Sequence, residues 1–205
     1  MLTETDKKKL ENYIDKTLNE VRSGAERSIQ NHLPNQQVIE QVTSATANKM
    51  SGVSKMMITS IYNMLSEKTL SEELYQKIEN EAAFRSLNIL NDLNKRFSFE
   101  VPAKIDYTES QTQLEPLIAA GAVTVAGGVI SIAASSLTPI GVSIVLAAIM
   151  YYTINSKKQE QNTFNINDVI ETYLKNVKLS MMQWIRTIET YYDQRVMELE
   201  QGLKK

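Results

Sequence analysis

The stretch that decides the fold is EPLIAAGAVTVAGGVISIAASSLTPIGVSIVLAAIMYYTINSK, Glu115–Lys157. Between its two terminal charges, from Pro116 to Ser156, 41 consecutive residues include no Asp, Glu, Lys or Arg. In a chain of 205 residues such a run is either the buried centre of a helical domain or a segment built to enter a membrane. The segment alone permits both. Pro139 divides it. Proline fits the first turn of a helix and stops a helix that precedes it. The spacing therefore predicts a helix over 117–135, a turn at SSLTP, and a second helix over 139–154. Each is about 16–19 residues, at the short edge of the roughly 20 that cross a bilayer core.

The two halves differ in side-chain size. The first places Ala122 and Ala126, Thr124 and Gly128, and Gly127 and Ser131 four apart, a spacing that lets helix backbones approach closely in lipid. Gly121, Ala122, Ala126, Gly127, Gly128 and Ser131 are the candidate helix-packing residues. The candidate membrane-inserting residues are Leu117, Ile118, Val123, Val125, Val129, Ile130 and Ile132 in the first helix. In the turn and second helix they are Leu137, Pro139, Ile140, Val142, Ile144, Val145, Leu146, Ile149 and Met150. Tyr151 and Tyr152, followed by Lys157 and Lys158, have the order of aromatic and cationic anchors at a membrane–water interface.

Outward from this segment the chain turns polar and helical. Leu10, Ile14, Leu18, Val21, Ala25 and Ile29 recur at three- and four-residue steps, which predicts an amphipathic helix, with Thr5 or Asp6 as its cap and HLPN, His32–Asn35, as its end. A second helical stretch carries Val38, Ile39 and Val42, has a candidate break or kink at Gly52, and resumes with Val53, Met56, Met57, Ile61, Met64 and Leu65. Thr69 or Ser71 is expected to cap a third helix, with Glu72 and Glu73 in its first turn. Its stripe would be Leu74, Ile78, Ala82, Leu87, Leu90 and Leu93. The alternating Phe97, Phe99 and Val101 begin a connector with one short strand at most. Ile170 to Leu199 keep helical spacing in a long final helix capped by Asn165 or Asn167, and Trp184, Tyr191 and Tyr192 are its expected anchors. The predicted fold is all-α: an elongated helical bundle with a central apolar helical hairpin. Its parts are N-terminal amphipathic helices (1–100), a linker (101–115), the hairpin (116–156), a second linker (157–166) and a long C-terminal helix (167–203) packing back on the N-terminal helices.

Composition excludes several classes. The chain has no cysteine, hence no thiolate nucleophile, disulfide or Cys-based metal site. With His32 as the lone histidine, a transition-metal centre has too few ligands. No GxxxxGK[ST] loop is present, and the AGG of Ala126–Gly128 has no strand before it. Basic and acidic residues number 22 and 24, with a net charge of −2, and they are interspersed; nucleic-acid binding would need a clustered basic face. The reading is of a chain with no catalytic set, no cofactor, and no nucleic-acid or nucleotide partner. Met50, Met56, Met57 and Met64 are read as core filler. The N-terminal MLTETDKKKLENYIDK has no apolar run after its charges, so it is not a secretory signal, and synthesis in the cytosol is expected. The mean hydropathy of −0.27 averages polar arms with one apolar middle.

The order of helical arm, connector, glycine-rich apolar helix, TPIG turn, bulkier apolar helix, KK and long amphipathic helix resembles the stalk and membrane paddle of bacterial dynamin-like proteins. The resemblance runs from Phe97 to Leu203, and its most specific piece is LTPIGVSIVLAAIMYYTINSKK, Leu137–Lys158. It implies an apolar hairpin at the tip of a helical trunk that dips into a bilayer. That family works through a GTPase domain, which this sequence lacks, so the resemblance implies a membrane-binding module without its motor or one served by a separate protein. The layout is also similar to α-helical pore-forming toxins, soluble bundles that release an apolar hairpin into a target membrane. A third reading is a two-span membrane protein with both arms in one compartment, Lys157 and Lys158 favouring the cytoplasmic side. The expected partners are a lipid bilayer and a second copy or another helical protein. The expected location is the cytoplasmic side of a membrane, or a target membrane after release.

Overall fold

The computed structural model describes residues 1–99, 101 and 166–203. The fold is all-α, an elongated helical bundle. Its elements are α1 (Glu4–Gln30), α2 (Asn35–Leu70), a 3₁₀ turn (Glu73–Gln76), α3 (Ile78–Ser86), α4 (Ile89–Arg96) and α5 (Ile166–Leu203). At 1.5 Å per residue, α2 and α5 each extend about 55 Å. The predicted hairpin lies outside the described residues.

A capping box starts α1. The Thr3 hydroxyl accepts the Asp6 amide N–H at 3.1 Å, while the Asp6 carboxylate accepts the Thr3 hydroxyl at 2.6 Å and its amide at 3.3 Å. The cap is thus Thr3, not Thr5 or Asp6: Asp6 sits at the third helical position, where its carboxylate reaches back to the cap's own amide. Leu10, Ile14, Leu18, Val21 and Ala25 are buried along one face. The chain then reverses through His32, which holds a left-handed φ of 57°, and Pro34 opens α2 with its carbonyl accepting from Val38.

Gly52 does not break α2; the helix is continuous from Asn35 to Leu70. The buried residues on both sides of Gly52, Met50 and Val53 with Met57 and Ile61, hold one helical face against the core, and that packing outweighs glycine's propensity cost of about 1 kcal/mol. Met56 projects outward at 53 % exposure, so of the four methionines read as core filler only Met50 and Met57 are fully buried, with Met64 partly so.

The single third helix expected after Ser71 is instead three short pieces. Asn88 takes a left-handed φ of 48° and separates α3 from α4, and Lys77, extended, separates the 3₁₀ turn from α3. Ile78, expected on the buried stripe, is 81 % exposed, and Ala82 is also exposed. The residues that do bury are Tyr75 and Phe84. Their rings meet edge-on at 5.6 Å, Phe84 meets Tyr192 at 6.4 Å, and the Tyr192 hydroxyl lies 3.0 Å from that of Thr69. This aromatic cluster fixes the phase of α3, which is too short to hold its own face by periodicity.

The topology follows from the pairs that cross between helices. Lys49 reaches Glu20 at 2.6 Å and Ser28 reaches Gln41 at 2.8 Å, so α1 and α2 are antiparallel. Arg22 pairs with Glu171, and Lys178 with Asp15 and Glu11 at 2.8 Å, so α5 is antiparallel to α1. Consequently α2 and α5 run parallel. Ile170, Leu174, Val177, Met181, Trp184, Ile185 and Ile188 of α5 are buried with the stripes of α1 and α2 in one core. The 3₁₀ turn, α3 and α4 cover the end formed by the last turns of α2 and α5. The opposite end is formed by the α1–α2 turn and the first turn of α5.

Two outcomes follow for the helices. A Cβ at Gly52 or Gly24 would meet nothing within 4 Å, so Gly52→Ala should stabilise the fold by about 0.5–1 kcal/mol, read as a Tm raised by a few degrees. The Thr3 hydroxyl holds the Asp6 carboxyl below its ordinary range. A carboxyl so depressed stabilises the fold above its unfolded pKa, near pH 4, and loses that contribution as pH falls through the folded value. Thr3→Ala should therefore cost about 1 kcal/mol at pH 7, and the gap in Tm between the two proteins should shrink at pH 3.

Candidate functional site

The residues read as membrane-inserting, from Leu117 to Met150, lie outside the described residues. So do the anchors Tyr151, Tyr152, Lys157 and Lys158 and the packing set from Gly121 to Ser131. What the structure builds is the two places where the described chain stops before that segment and resumes after it, at residues 101 and 166, and both involve α5.

The outgoing end is Phe97, Phe99 and Val101, at 8 %, 1 % and 7 % exposure, with Ser98 less buried between them. Their alternation suggested a linker with at most one short strand. Among the described residues it forms no strand beyond a single bridge residue at Phe97; the period of two arises because an extended chain presents every second side chain to one surface. Here that surface is α5. Phe97 packs edge-on against Tyr191 at 5.5 Å, and two residues on Phe99 packs edge-on against Trp184 at 5.8 Å. The chain thus travels from the covered end of the bundle toward the first turn of α5. Aromatic pairs in this geometry add about 0.5–1.5 kcal/mol beyond their area.

Tyr191 is held on three sides. Phe97 covers one, the Arg96 guanidinium lies 5.6 Å over its ring, and its hydroxyl donates to Asp92 at 3.4 Å. Burial, and then the Asp92 charge, raise its pKa. These contacts fix α4 on α5 immediately before the chain departs.

The returning end is the first half of α5. Ile170, Tyr173, Leu174 and Val177 are buried, and the exposed rim is tied to α1. Arg22 donates to Glu171 at 2.8 Å, and Lys178 sits between Glu11 and Asp15, whose hydrogen bonds raise its pKa. Pairs as exposed as these contribute about 0–1 kcal/mol each; the apolar face carries the energy and the ion pairs set alignment.

Among the described residues no helix is long and apolar enough to cross a membrane, and no group of three or more His, Asp or Glu could hold a metal ion. His32 is exposed in the α1–α2 turn. Trp184 and Tyr192 are the buried anchors of the last helix, as expected, with Tyr191 partly buried. Sequence reasoning missed the buried polar residues of α2 and α5, Thr43, Thr46, Ser54, Asn176 and Ser180. Their only signal was their position in phase with the apolar stripe. Comparison of the chain with family models, curated proteins and solved structures found no match.

Phe99→Ala removes the ring that covers Trp184. It should cost about 3–5 kcal/mol, as Phe truncation in a core does, and should shift Trp184 emission to the red. Urea denaturation and the emission spectrum of the native protein check both.

Proposed function

We propose that this protein engages a lipid bilayer through Pro116–Ile154, remodelling or scaffolding the membrane from a helical bundle built by the chain on either side of that segment. One observation carries the reading. The apolar stripes of α1, α2 and α5 are buried with one another in a single core, while a further run of 41 uncharged residues lies in the sequence between the parts of the chain that build that core. A segment that apolar, set beside a bundle with a core of its own, finds its favourable medium in lipid. Transfer of apolar surface out of water contributes about 25 cal/mol per Å².

A helical hairpin is a form in which such a segment can enter, because each helix satisfies its own backbone groups inside the hydrocarbon. The outgoing chain heads toward the end of the bundle where α5 begins. A hairpin rooted there would enter and return on one side, with Tyr151, Tyr152, Lys157 and Lys158 at the water boundary. The small-residue face of the first helix suits close helix packing in lipid, and so an assembly of several copies.

The test is co-flotation of detergent-free protein with liposomes that hold a trapped dye. Flotation without efflux, abolished by Val129→Asp with Val145→Asp, is the expected result. Flotation with efflux that the same substitutions abolish would instead make this a pore former. Protein that neither floats nor releases dye overturns membrane engagement altogether.

A further inference from the structure

We infer that the contact between α2 and α5, from Thr43 to Ser54 on one side and from Tyr173 to Trp184 on the other, is the seam along which the bundle loosens first. Among the described residues, the buried polar side chains concentrate on these two helices: Thr43, Thr46 and Ser54 on α2, Asn176 and Ser180 on α5, all at or below 3 % exposure. The same stretch of α5 holds three buried polar atoms with no hydrogen-bond partner: the Tyr173 hydroxyl, the Asn176 amide nitrogen and the Trp184 indole nitrogen.

Three hydroxyls in the seam donate within their own helices. Thr46 donates to the Val42 carbonyl at 2.7 Å, Ser54 to Ser51 at 3.0 Å and Ser180 to Asn176 at 2.7 Å. Burial pushes the Tyr173 phenol up to about 12, with the neighbouring Thr46 hydroxyl acting in the opposite direction. A buried donor without an acceptor loses its hydration and recovers nothing, so the closed seam is penalised relative to any state that admits water.

The ion pairs between the long helices do not join the two sides. Arg22–Glu171, Lys178–Glu11, Lys178–Asp15 and Lys49–Glu20 each have one partner on α1. Helix α1 is thus tied by ion pairs to both neighbours, while the Thr69–Tyr192 hydrogen bond that joins α2 to α5 lies beyond this stretch. The chain beyond the apolar segment continues into α5. If that segment enters lipid as proposed above, loosening of this seam is the step that gives α5 the freedom to follow it.

Trp184 is the chain's single tryptophan and reports directly on the seam. The experiment follows acrylamide quenching of Trp184 and circular dichroism at 222 nm through one urea titration. Quenching should rise before helicity falls. Asn176→Leu, which removes the unpaired amide at similar volume, should close the gap between the two transitions; Asn176→Ala, which adds no bulk, provides the same comparison if the larger side chain is not accommodated. Coincident transitions in the unmodified protein, or a gap that neither variant narrows, would overturn the seam. With liposomes of phosphatidylcholine and phosphatidylglycerol, Asn176→Leu should float several-fold more slowly than the unmodified protein. Equal rates would sever the seam from membrane entry, whereas an unmodified protein that never floats would defeat the membrane reading and leave the seam to be judged by the quenching result.

Discussion

Burial of the inner face of α5 is the interaction on which the bundle depends. Helices α1 and α2 form a hairpin, and two helices alone leave one side of their apolar stripes in water. The third side comes from α5, which rejoins the bundle after an insertion of roughly 60 residues. Closing so long a loop is less costly than it looks, since the entropy grows only with the logarithm of length and each doubling adds about 0.6 kcal/mol. One fully buried Trp or Leu offsets several such doublings. With Leu174, Val177, Met181, Trp184 and Ile188 all at 1 % exposure or less, α5 is held firmly enough for the bundle to accept an insertion at this point.

Alignment comes from a different source than affinity. An apolar face admits slippage by a turn, but the charged rim does not: Lys178 fits between Glu11 and Asp15 in one register, and Glu20 meets Lys49 in that same register. At the covered end Glu189, itself buried, accepts the Leu2 amide at 2.5 Å. That bond fixes the start of α1 against α5 and draws Leu2 into the core at 5 % exposure. Ion pairs worth little in stability thus choose among packings that the core alone would leave close in energy.

Most of the bundle was legible in the sequence, and the failures have one cause. Where a helix runs for many turns, as from Leu10 to Ala25 or Ile170 to Ile188, period and burial agree because the whole stripe must face one way. Where elements are short, local spacing loses to tertiary contacts. The run Leu74, Ile78, Ala82 has a helical period, yet the Tyr75–Phe84–Tyr192 cluster rotates α3 so that Ile78 faces solvent. Gly52 looked like a break because propensity is a property of one residue, whereas continuity of α2 is decided by the buried neighbours on both sides. The extended run Phe97–Val101 showed its alternation plainly, but alternation names no partner, and a helix can serve in place of a sheet. As for the candidate site, its apolar character was legible in full, and the way the bundle grips its ends was not, because Phe99 and Trp184 are 85 residues apart in sequence and nothing local links them.

Those two grips meet on the same helix, and that has a mechanical consequence. Phe97 and Phe99 load the outgoing chain onto Tyr191 and Trp184, while the returning chain continues directly into the first turn of α5. Any force on the insertion therefore reaches α5 twice, once through aromatic contacts at its middle and once along its own axis. Along the stretch where α2 and α5 run side by side, the buried residues include the polar Thr46, Ser54, Asn176 and Ser180 beside the apolar Met50, Val53, Val177 and Met181. A load applied through the insertion would thus be resisted by the α1–α5 ion pairs on the rim and the apolar residues beneath them, and would concentrate as strain at the buried polar atoms of α5 that have no hydrogen-bond partner.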